Sequence, residues 1–406
     1  MASFIVEGNN LLRGTIEVSG SKNAALSALA AGILFKTFPE YFRVPDIEDI
    51  RRMRELIDVF LEHKTINTEI AKRFRASILL AGPILARLGA VSFPHPGGCL
   101  IGARPIDVFL EGWRMMGAYI SEDKDGYHLE ISKQTSLRGI DYTFRVKSVT
   151  GTESLMMTAV LAHGITTLHN SACEPEIKSL ADFLNANGAV VCGAGTPDIV
   201  VKGNGGALLD FHKPFVSPPD RIETGSLAIL GSLAADELRI TQCNPAELEA
   251  PLQALNNAGA SIEVGDNWII VKKSDCFFPV DIETREYPGF PTDLQAPFMV
   301  FLTQAGGTSI VRENIFEGRM THVPSLNAMG ARISLKGNHR AVIEGKTPLV
   351  GCAMESPDIR AGLAFIIAAS IANGTSRIGN AYQIDRGYVA LDKRLSEIGM
   401  HIFRAD

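Results

Sequence analysis

The stretch FLNANGAVV, residues 183–191, decides the fold of this 406-residue chain. An apolar helical residue, a turn, then Gly-Ala and an alternating apolar run mark a helix that ends at a left-handed glycine and passes straight into a strand. Working outward, the pattern recurs as WRMMGAYI (113–120), LNNAGASI (255–262), LNAMGARI (326–333) and LSEIGMHI (395–402). The glycines, Gly117, Gly188, Gly259, Gly330 and Gly399, lie 71, 71, 71 and 69 residues apart. Self-similarity at a fixed period means a repeated supersecondary unit.

A second series interleaves with the first. AALSALAAGILF, ASILLAGPILARLG, SLMMTAVLAHG, GSLAILGSLAA, LQAPFMVFLTQAG and AGLAFIIAASIANG are helix-length runs, apolar on every side. Such a helix belongs in the centre of a domain. Six units over this length predict two α/β domains of three units each, with the Pro-rich Ser217–Asp220 as the hinge.

The residues that open these helices carry the functional signal. They are Lys22 in SGSKNAAL, Arg75 in KRFRAS, Lys147 with Thr150 and Gly151 in VKSVTGTES, Arg221 in DRIETGS, Asp293 in FPTDLQA and Arg360 in SPDIRAG. A cation at a helix N-terminus opposes the macrodipole. One case is an ordinary surface arginine, but cations repeated at equivalent positions point to a shared anion such as phosphate or carboxylate.

Composition narrows the class. The net charge of −6 gives no general nucleic-acid or membrane surface, and 46% hydrophobic with 21% charged residues is the balance of a globular chain. The start MASFIVEGNN lacks the features of a secretory leader, and no apolar run reaches membrane-spanning length, so a cytoplasmic protein is expected. Six scattered cysteines without a CxxC pair read as reduced thiols, mostly core fillers. Metal-ligand spacing, a Walker loop and GxGxxG are all missing, and neither a metal nor a cofactor is expected. Cys99 stands apart, in the glycine- and proline-rich loop PHPGGCLIGARPID at 94–107. Arg104 and nearby helix N-termini are able to lower a thiol pKa, and local chemistry leaves a reactive and a structural role both open. His95 reads as a loop residue, not a base.

Taken together, SGSKNAAL, PGGCLIGARPID, SVTGTESLMM, DRIETG, FPTDLQA, IFEGRMTHVPSL, PDIRAG and YQIDRGY resemble, in order and over essentially the whole chain, the enolpyruvyl transferase family in its UDP-N-acetylglucosamine 1-carboxyvinyltransferase branch. The shikimate-phosphate branch lacks the cysteine loop. The resemblance implies a two-domain inside-out α/β barrel, each domain three βαβαββ repeats around buried helices, with the active site in the interdomain cleft. The domains would be residues 22–218, and residues 1–21 with 219–406. It implies transfer of the enolpyruvyl group of phosphoenolpyruvate to the 3-hydroxyl of UDP-N-acetylglucosamine by addition–elimination, the first committed step of peptidoglycan precursor synthesis.

Carried over by motif, Lys22, Arg104 and Arg386 would hold the phosphate of phosphoenolpyruvate, with Arg319 and Arg360 completing its surroundings. Asn23 and Asp293 would face the acceptor sugar. Arg75, the run Arg104, Pro105, Ile106, Asp107 and Val108, the run Lys147, Ser148, Val149, Thr150 and Gly151, and the backbone at Ile315 would hold the uridine diphosphate. Glu317 would be a further carboxylate of the cleft. Cys99 would be the acid at C3, able to add covalently. Asp293 would be the base, with burial beside a second carboxylate as the route to a raised pKa.

One unit departs from the pattern. Lys22 to Arg75 is 53 residues, and IEDIRRMRELIDVFLEHKTINTEIAKRFRAS stands where a strand pair is expected. It resembles the family with a hairpin deleted, leaving Arg75 on a long or broken helix. Phe109 sits where a polar residue is common, and Thr152 and Glu153 fall inside the diphosphate motif. The altered outline keeps two alternatives open: enolpyruvyl transfer to UMP or another uridine nucleotide, and a non-catalytic regulatory paralogue. The partners expected are small-molecule substrates, not nucleic acid or membrane; oligomeric state is not legible.

Overall fold

The computed structural model describes residues 2–95, 102, 105–132 and 134–405. Cys99 and Arg104 lie outside the described residues. The described chain divides into two compact units, one of residues 2–19, 102 and 219–405, the other of residues 20–95, 105–132 and 134–218.

The first unit holds three four-stranded sheets built to one rule, a parallel pair followed by two antiparallel pairings. In one, Ile282–Glu283 runs parallel to Gly307–Arg312, which pairs antiparallel with Arg340–Gly345 and through it with Ile333–Leu335. Leu12–Glu17, Ala235–Thr241, Trp268–Lys272 and Ser261–Val264 repeat the order, as do Ala353–Glu355, Thr375–Gly379, Ser3–Glu7 and Ile402–Ala405. The helices Arg221–Ala234, Gln295–Leu302 and Ile359–Ile371 are buried on nearly every face, as their all-round apolar sequences require. Leu227, Ile229, Phe298, Phe301, Phe365 and Ile366 belong to one core. Asp220 and Asp358 cap two of these helices by accepting from first-turn N–H groups.

The second unit follows the same rule once in full, with Asp141–Thr143, Ile165–His169, Ile199–Lys202 and Val190–Cys192. Its second sheet has three antiparallel strands, Ala90–Pro94, Gly126–Ile131 and Ala118–Glu122. Its third is only a two-residue parallel pair, Tyr41–Phe42 with Phe215–Val216. No strand lies between Phe42 and Ala90 among the described residues. The charged run is instead the helix Glu48–His63, which stops at Lys64 in the left-handed region (φ 58°) and is followed by the short helix Thr68–Ala71. The broken helix is there, and no strand pair stands in its place among the described residues. Ile50, Met53, Leu56, Ile57 and Phe60 bury one helical stripe. At roughly 1.5–3 kcal/mol per apolar side chain, that stripe is what holds the helix on its unit.

The five glycines of the first motif have φ of 107°, 95°, 88°, 102° and 97°, each after a helix and before a strand. A side chain is strained there, which is why Gly recurs at this spacing. Trp113 anchors the second unit, with Phe93 and Phe109 at ring-centroid distances of 6.5 and 5.3 Å and Nε1 donating to Thr158 Oγ1 at 2.9 Å. Phe109, unusual beside the nucleotide motif, is therefore a core residue. The reading of cysteines as mostly core fillers needs correction. Of the five described, only Cys243 is buried, whereas Cys192, on the outer face of an edge strand, and Cys276, in a loop, are exposed. No helix among the described residues is long and apolar enough to cross a membrane.

Candidate active site

In the second unit, Ser21 caps the helix Lys22–Ala31 and places Lys22 at its first position. The Lys22 side chain is 10% exposed, and its Nζ meets Asp49 Oδ2, 4% exposed, at 2.7 Å. Asn23, one position on, donates from Nδ2 to Glu176 Oε1 at 3.4 Å. Arg75 opens the 3₁₀ turn Arg75–Leu80 and is half-buried. Ser148 caps the helix Val149–Val160 by accepting from Gly151 N at 3.0 Å. A Cβ at Gly151 would lie 3.0 Å from Ser148 Oγ, so the glycine leaves room for the cap. Lys147, Val149 and Thr150 surround this turn and are half-buried, the arrangement of a helix N-terminus open to an anion.

Asp107 opens the helix Asp107–Met115, its Oδ2 2.6 Å from Arg145 Nη2. Pro105 is exposed, whereas Ile106 and Val108 are buried, and the Val108 carbonyl accepts from Tyr142 Oη. On the helix Val149–Val160, burial and the neighbouring Glu176 raise the Glu153 carboxyl well above its ordinary range. A raised folded pKa favours the fold fully below the unfolded value of about 4.5, and that contribution is lost as pH rises toward the folded value. Glu153→Gln is therefore expected to flatten the fall in stability with rising pH, its Tm gaining on the parent's from pH 5 to pH 8. Thermal unfolding at both pH values measures it, and an unchanged slope would show Glu153 ionised in the fold.

In the first unit, one network joins three elements. Asp293 stands in the turn Thr292–Leu294 at the head of Gln295–Leu302, its side chain 26% exposed. Its Oδ1 accepts from Arg319 Nη2 at 2.7 Å, and its Oδ2 from Arg360 Nε at 2.9 Å and Nη2 at 2.8 Å. Arg360 Nη1 continues to Tyr388 Oη at 2.9 Å. Burial alone would disfavour the Arg360 charge, but Tyr388 and Asp293 more than offset it. Burial pushes the Tyr388 hydroxyl up to about 12, so it stays protonated. The charges set against Asp293 are thus guanidiniums, where the sequence argument looked for a neighbouring carboxylate. His322, fully buried near Arg319, is pushed down to about 4 by burial and is neutral at physiological pH.

Arg386 ends the short helix Tyr382–Asp385, its Nη1 donating to Gln383 Oε1 at 2.9 Å. Ile315 donates its N–H to Glu313 Oε1 at 2.9 Å. That N–H is committed, and only the Ile315 carbonyl, an acceptor, remains to meet a ligand. It suits a hydroxyl or an N–H, not a diphosphate oxygen. Glu317 is exposed, and its Oε2 would lie 2.6 Å from a Cβ at Gly102, whose φ is 133°. The backbone angle, more than the movable Glu317 carboxylate, is what favours glycine there.

Part of the positive charge at the helix starts is answered within the chain, Lys22 by Asp49 and Arg360 by Asp293. Sequence reasoning missed Asp49, Glu313 and Tyr388. Asp49 reads as an ordinary first-turn acid complementing its helix dipole, Tyr388 closes the motif YQIDRGY with no role read from it, and Glu313 carries no local signal.

A family model described as EPSP synthase (3-phosphoshikimate 1-carboxyvinyltransferase) matches residues 6–395. The UDP-N-acetylglucosamine 1-carboxyvinyltransferase of Desulfosudis oleivorans is 40% identical, covering 100% of this chain and 99% of its own. That of Acidobacterium capsulatum is 41% identical, covering 100% and 96%. Among solved structures, the enolpyruvyl transferase NikO from Streptomyces tendae superposes with a TM-score of 0.88 at 22% identity, covering 100% and 99%. EPSP synthase from Acinetobacter baumannii superposes at 0.73 and 17%, covering 100% of each chain. These two likenesses establish the two-domain α/β fold alone. With a family model spanning almost the whole chain and full-length relatives near 40% identity, this protein is a transferase of the EPSP synthase family and belongs within it to the UDP-N-acetylglucosamine 1-carboxyvinyltransferases.

Proposed function

We propose that this enzyme transfers the enolpyruvyl group of phosphoenolpyruvate to the 3-hydroxyl of UDP-N-acetylglucosamine and releases inorganic phosphate, the first committed step of peptidoglycan precursor synthesis in the cytoplasm. The observation that carries this reading is full-length identity near 40% to relatives of that name, with Lys22, Cys99, Asp293, Arg319, Arg360 and Arg386 all present in the chain.

The acceptor hydroxyl adds to C2 of phosphoenolpyruvate and gives its proton to Asp293, while C3 takes a proton from the Cys99 thiol. The product of addition is a tetrahedral ketal. Loss of the C3 proton and of phosphate then restores the double bond on the new ether. Lys22, Arg104 and Arg386 neutralise the departing phosphate, and Arg319 and Arg360 face the carboxylate with the N–H groups they do not spend on Asp293. Asn23 and Asp293 orient the sugar. Arg75, residues 104–108 and the turn at 147–151 take the uridine diphosphate, and the Ile315 carbonyl accepts from the acceptor.

The test is phosphate release with phosphoenolpyruvate and a panel of acceptors. Turnover with UDP-N-acetylglucosamine and none with UMP is expected; the reverse pattern would hand the acceptor to the mononucleotide. Binding of both ligands without phosphate release from any acceptor would indicate a regulatory paralogue. An epoxide phosphonate such as fosfomycin, which presents an electrophilic carbon beside a phosphonate, is expected to alkylate Cys99 in the presence of acceptor. Intact-mass analysis reads the adduct, and an unmodified Cys99 would remove its role as a reactive thiol.

A further inference from the structure

Glu313 follows the strand Gly307–Arg312 and is 0% exposed. A carboxylate is a poor choice for such a position unless its oxygens are fully hydrogen-bonded. Here they are. Oε1 accepts from Thr284 Oγ1 at 2.8 Å, Ile315 N at 2.9 Å and Phe316 N at 3.1 Å, and Oε2 accepts from Thr292 Oγ1 at 2.9 Å. Its own carbonyl faces His339 Nδ1 at 2.8 Å, and the next residue, Asn314, donates N–H to Thr284 Oγ1 at 2.9 Å. Every donor to the carboxylate is a hydroxyl or a backbone N–H, so the arrangement is an anchor and not an ion pair.

What it anchors matters more than the burial. Thr292 immediately precedes Asp293 in the turn Thr292–Leu294. Phe316 accepts from Arg319 N at 3.2 Å, closing the turn that delivers Arg319. Asp293 and Arg319 then meet at 2.7 Å. Both arms of that ion pair, and the Ile315 peptide, are held by one side chain.

The geometry points to Glu313 as a positioning residue of this reaction, tying the turn that carries Asp293 to the loop that carries Ile315, Glu317 and Arg319. It touches no substrate and acts through the groups it holds. The inference rests on the function proposed above, through the roles given to Asp293 and Ile315.

The substitutions Glu313→Gln, Glu313→Asp and Glu313→Ala separate geometry from charge. Glutamine keeps Oε1 and its three donors, and its NH₂ donates to Thr292 once that hydroxyl turns round. It is expected to stay within a few-fold of the parent. Aspartate keeps the charge but is one methylene short of spanning both sides, and alanine spans nothing. Both are expected to lower kcat on the order of 100-fold, as a misplacement near 1 Å does, and to raise KM for the acceptor more than KM for phosphoenolpyruvate. An active alanine variant, or an active aspartate beside an inactive glutamine, overturns the proposal.

Hydrogen exchange at the Ile315 and Phe316 amides reads the anchor without turnover. Exchange should quicken in the aspartate and alanine proteins and not in the glutamine one, with Gln295–Leu302 protected throughout. Unchanged exchange in the aspartate variant overturns the proposal, and that variant carries the test where alanine does not fold. A parent enzyme that releases no phosphate with UDP-N-acetylglucosamine sinks the functional reading instead, while the exchange result still decides whether Glu313 is the anchor.

Discussion

Asp293→Asn is expected to lower phosphate release by about 10³-fold, within the range that removing a general base produces. Asparagine keeps the size of the side chain and one acceptor oxygen, but it takes no proton from the acceptor hydroxyl. It also turns an NH₂ toward one of two guanidiniums, where the aspartate accepts from Arg319 at 2.7 Å and from Arg360 at 2.8 and 2.9 Å. That mismatch costs about 1–3 kcal/mol, which leaves the protein folded. Asp293→Ala is the harsher change, because it strips the carboxylate from Arg319 and Arg360, whose side chains are 4% and 8% exposed. Breaking a buried pair from one side costs about 3–5 kcal/mol. Turnover assays beside thermal unfolding separate the two: both variants lose activity, and only alanine loses substantial stability. An asparagine variant within tenfold of the parent would take the base role away from Asp293.

Trp113→Ala is expected to cost the second unit about 3–5 kcal/mol, the cavity penalty for a large buried aromatic ring. The ring is 0% exposed, edge-on to Phe93 and Phe109, and its indole N–H is donated to Thr158 Oγ1 at 2.9 Å. Truncation therefore empties the space and also leaves Thr158 without that donor. Urea unfolding followed by circular dichroism measures the loss. Trp268, the other tryptophan, belongs to the first unit, so its fluorescence reports that unit separately. A midpoint shift worth less than about 1 kcal/mol would mean that the surroundings collapse into the space.

Much of the fold is legible because its signals are local. The glycines after five helices are demanded by the left-handed backbone itself, and they recur with φ of 88–107°. All-round apolar runs have only the centre of a domain to go to, and five of the six form helices buried on nearly every face, whereas ASILLAGPILARLG splits into a 3₁₀ turn and the helix Ala81–Leu88, whose last turn is exposed at Leu88. Even the missing hairpin is readable, since Glu48–His63 carries a helical stripe where an alternating pattern belongs. Cysteine burial was not legible: Cys192 and Cys276 are exposed because strand face and loop position, not residue type, decide it.

At the candidate site the division is sharper. Which residues open the buried helices follows from local signals, and so does where Lys22, Arg75, Asp293 and Arg360 stand along the chain. Capping and periodicity act over a few residues, and the chain writes them out in order. How those charges are answered is settled by packing between distant segments. Asp49 lies 27 positions from Lys22, Arg360 lies 67 from Asp293, and Glu313 reaches Thr292 from 21 positions away. Pairing at such separations depends on which sheets and helices pack together, and a buried charge takes whatever partner that packing brings within about 3 Å. Helix-start cations that read in sequence as a vacant anion site are, in the fold, partly answered already, Lys22 by Asp49, which no local pattern marks as its partner, and Arg360 by Asp293, which the sequence places at another helix start.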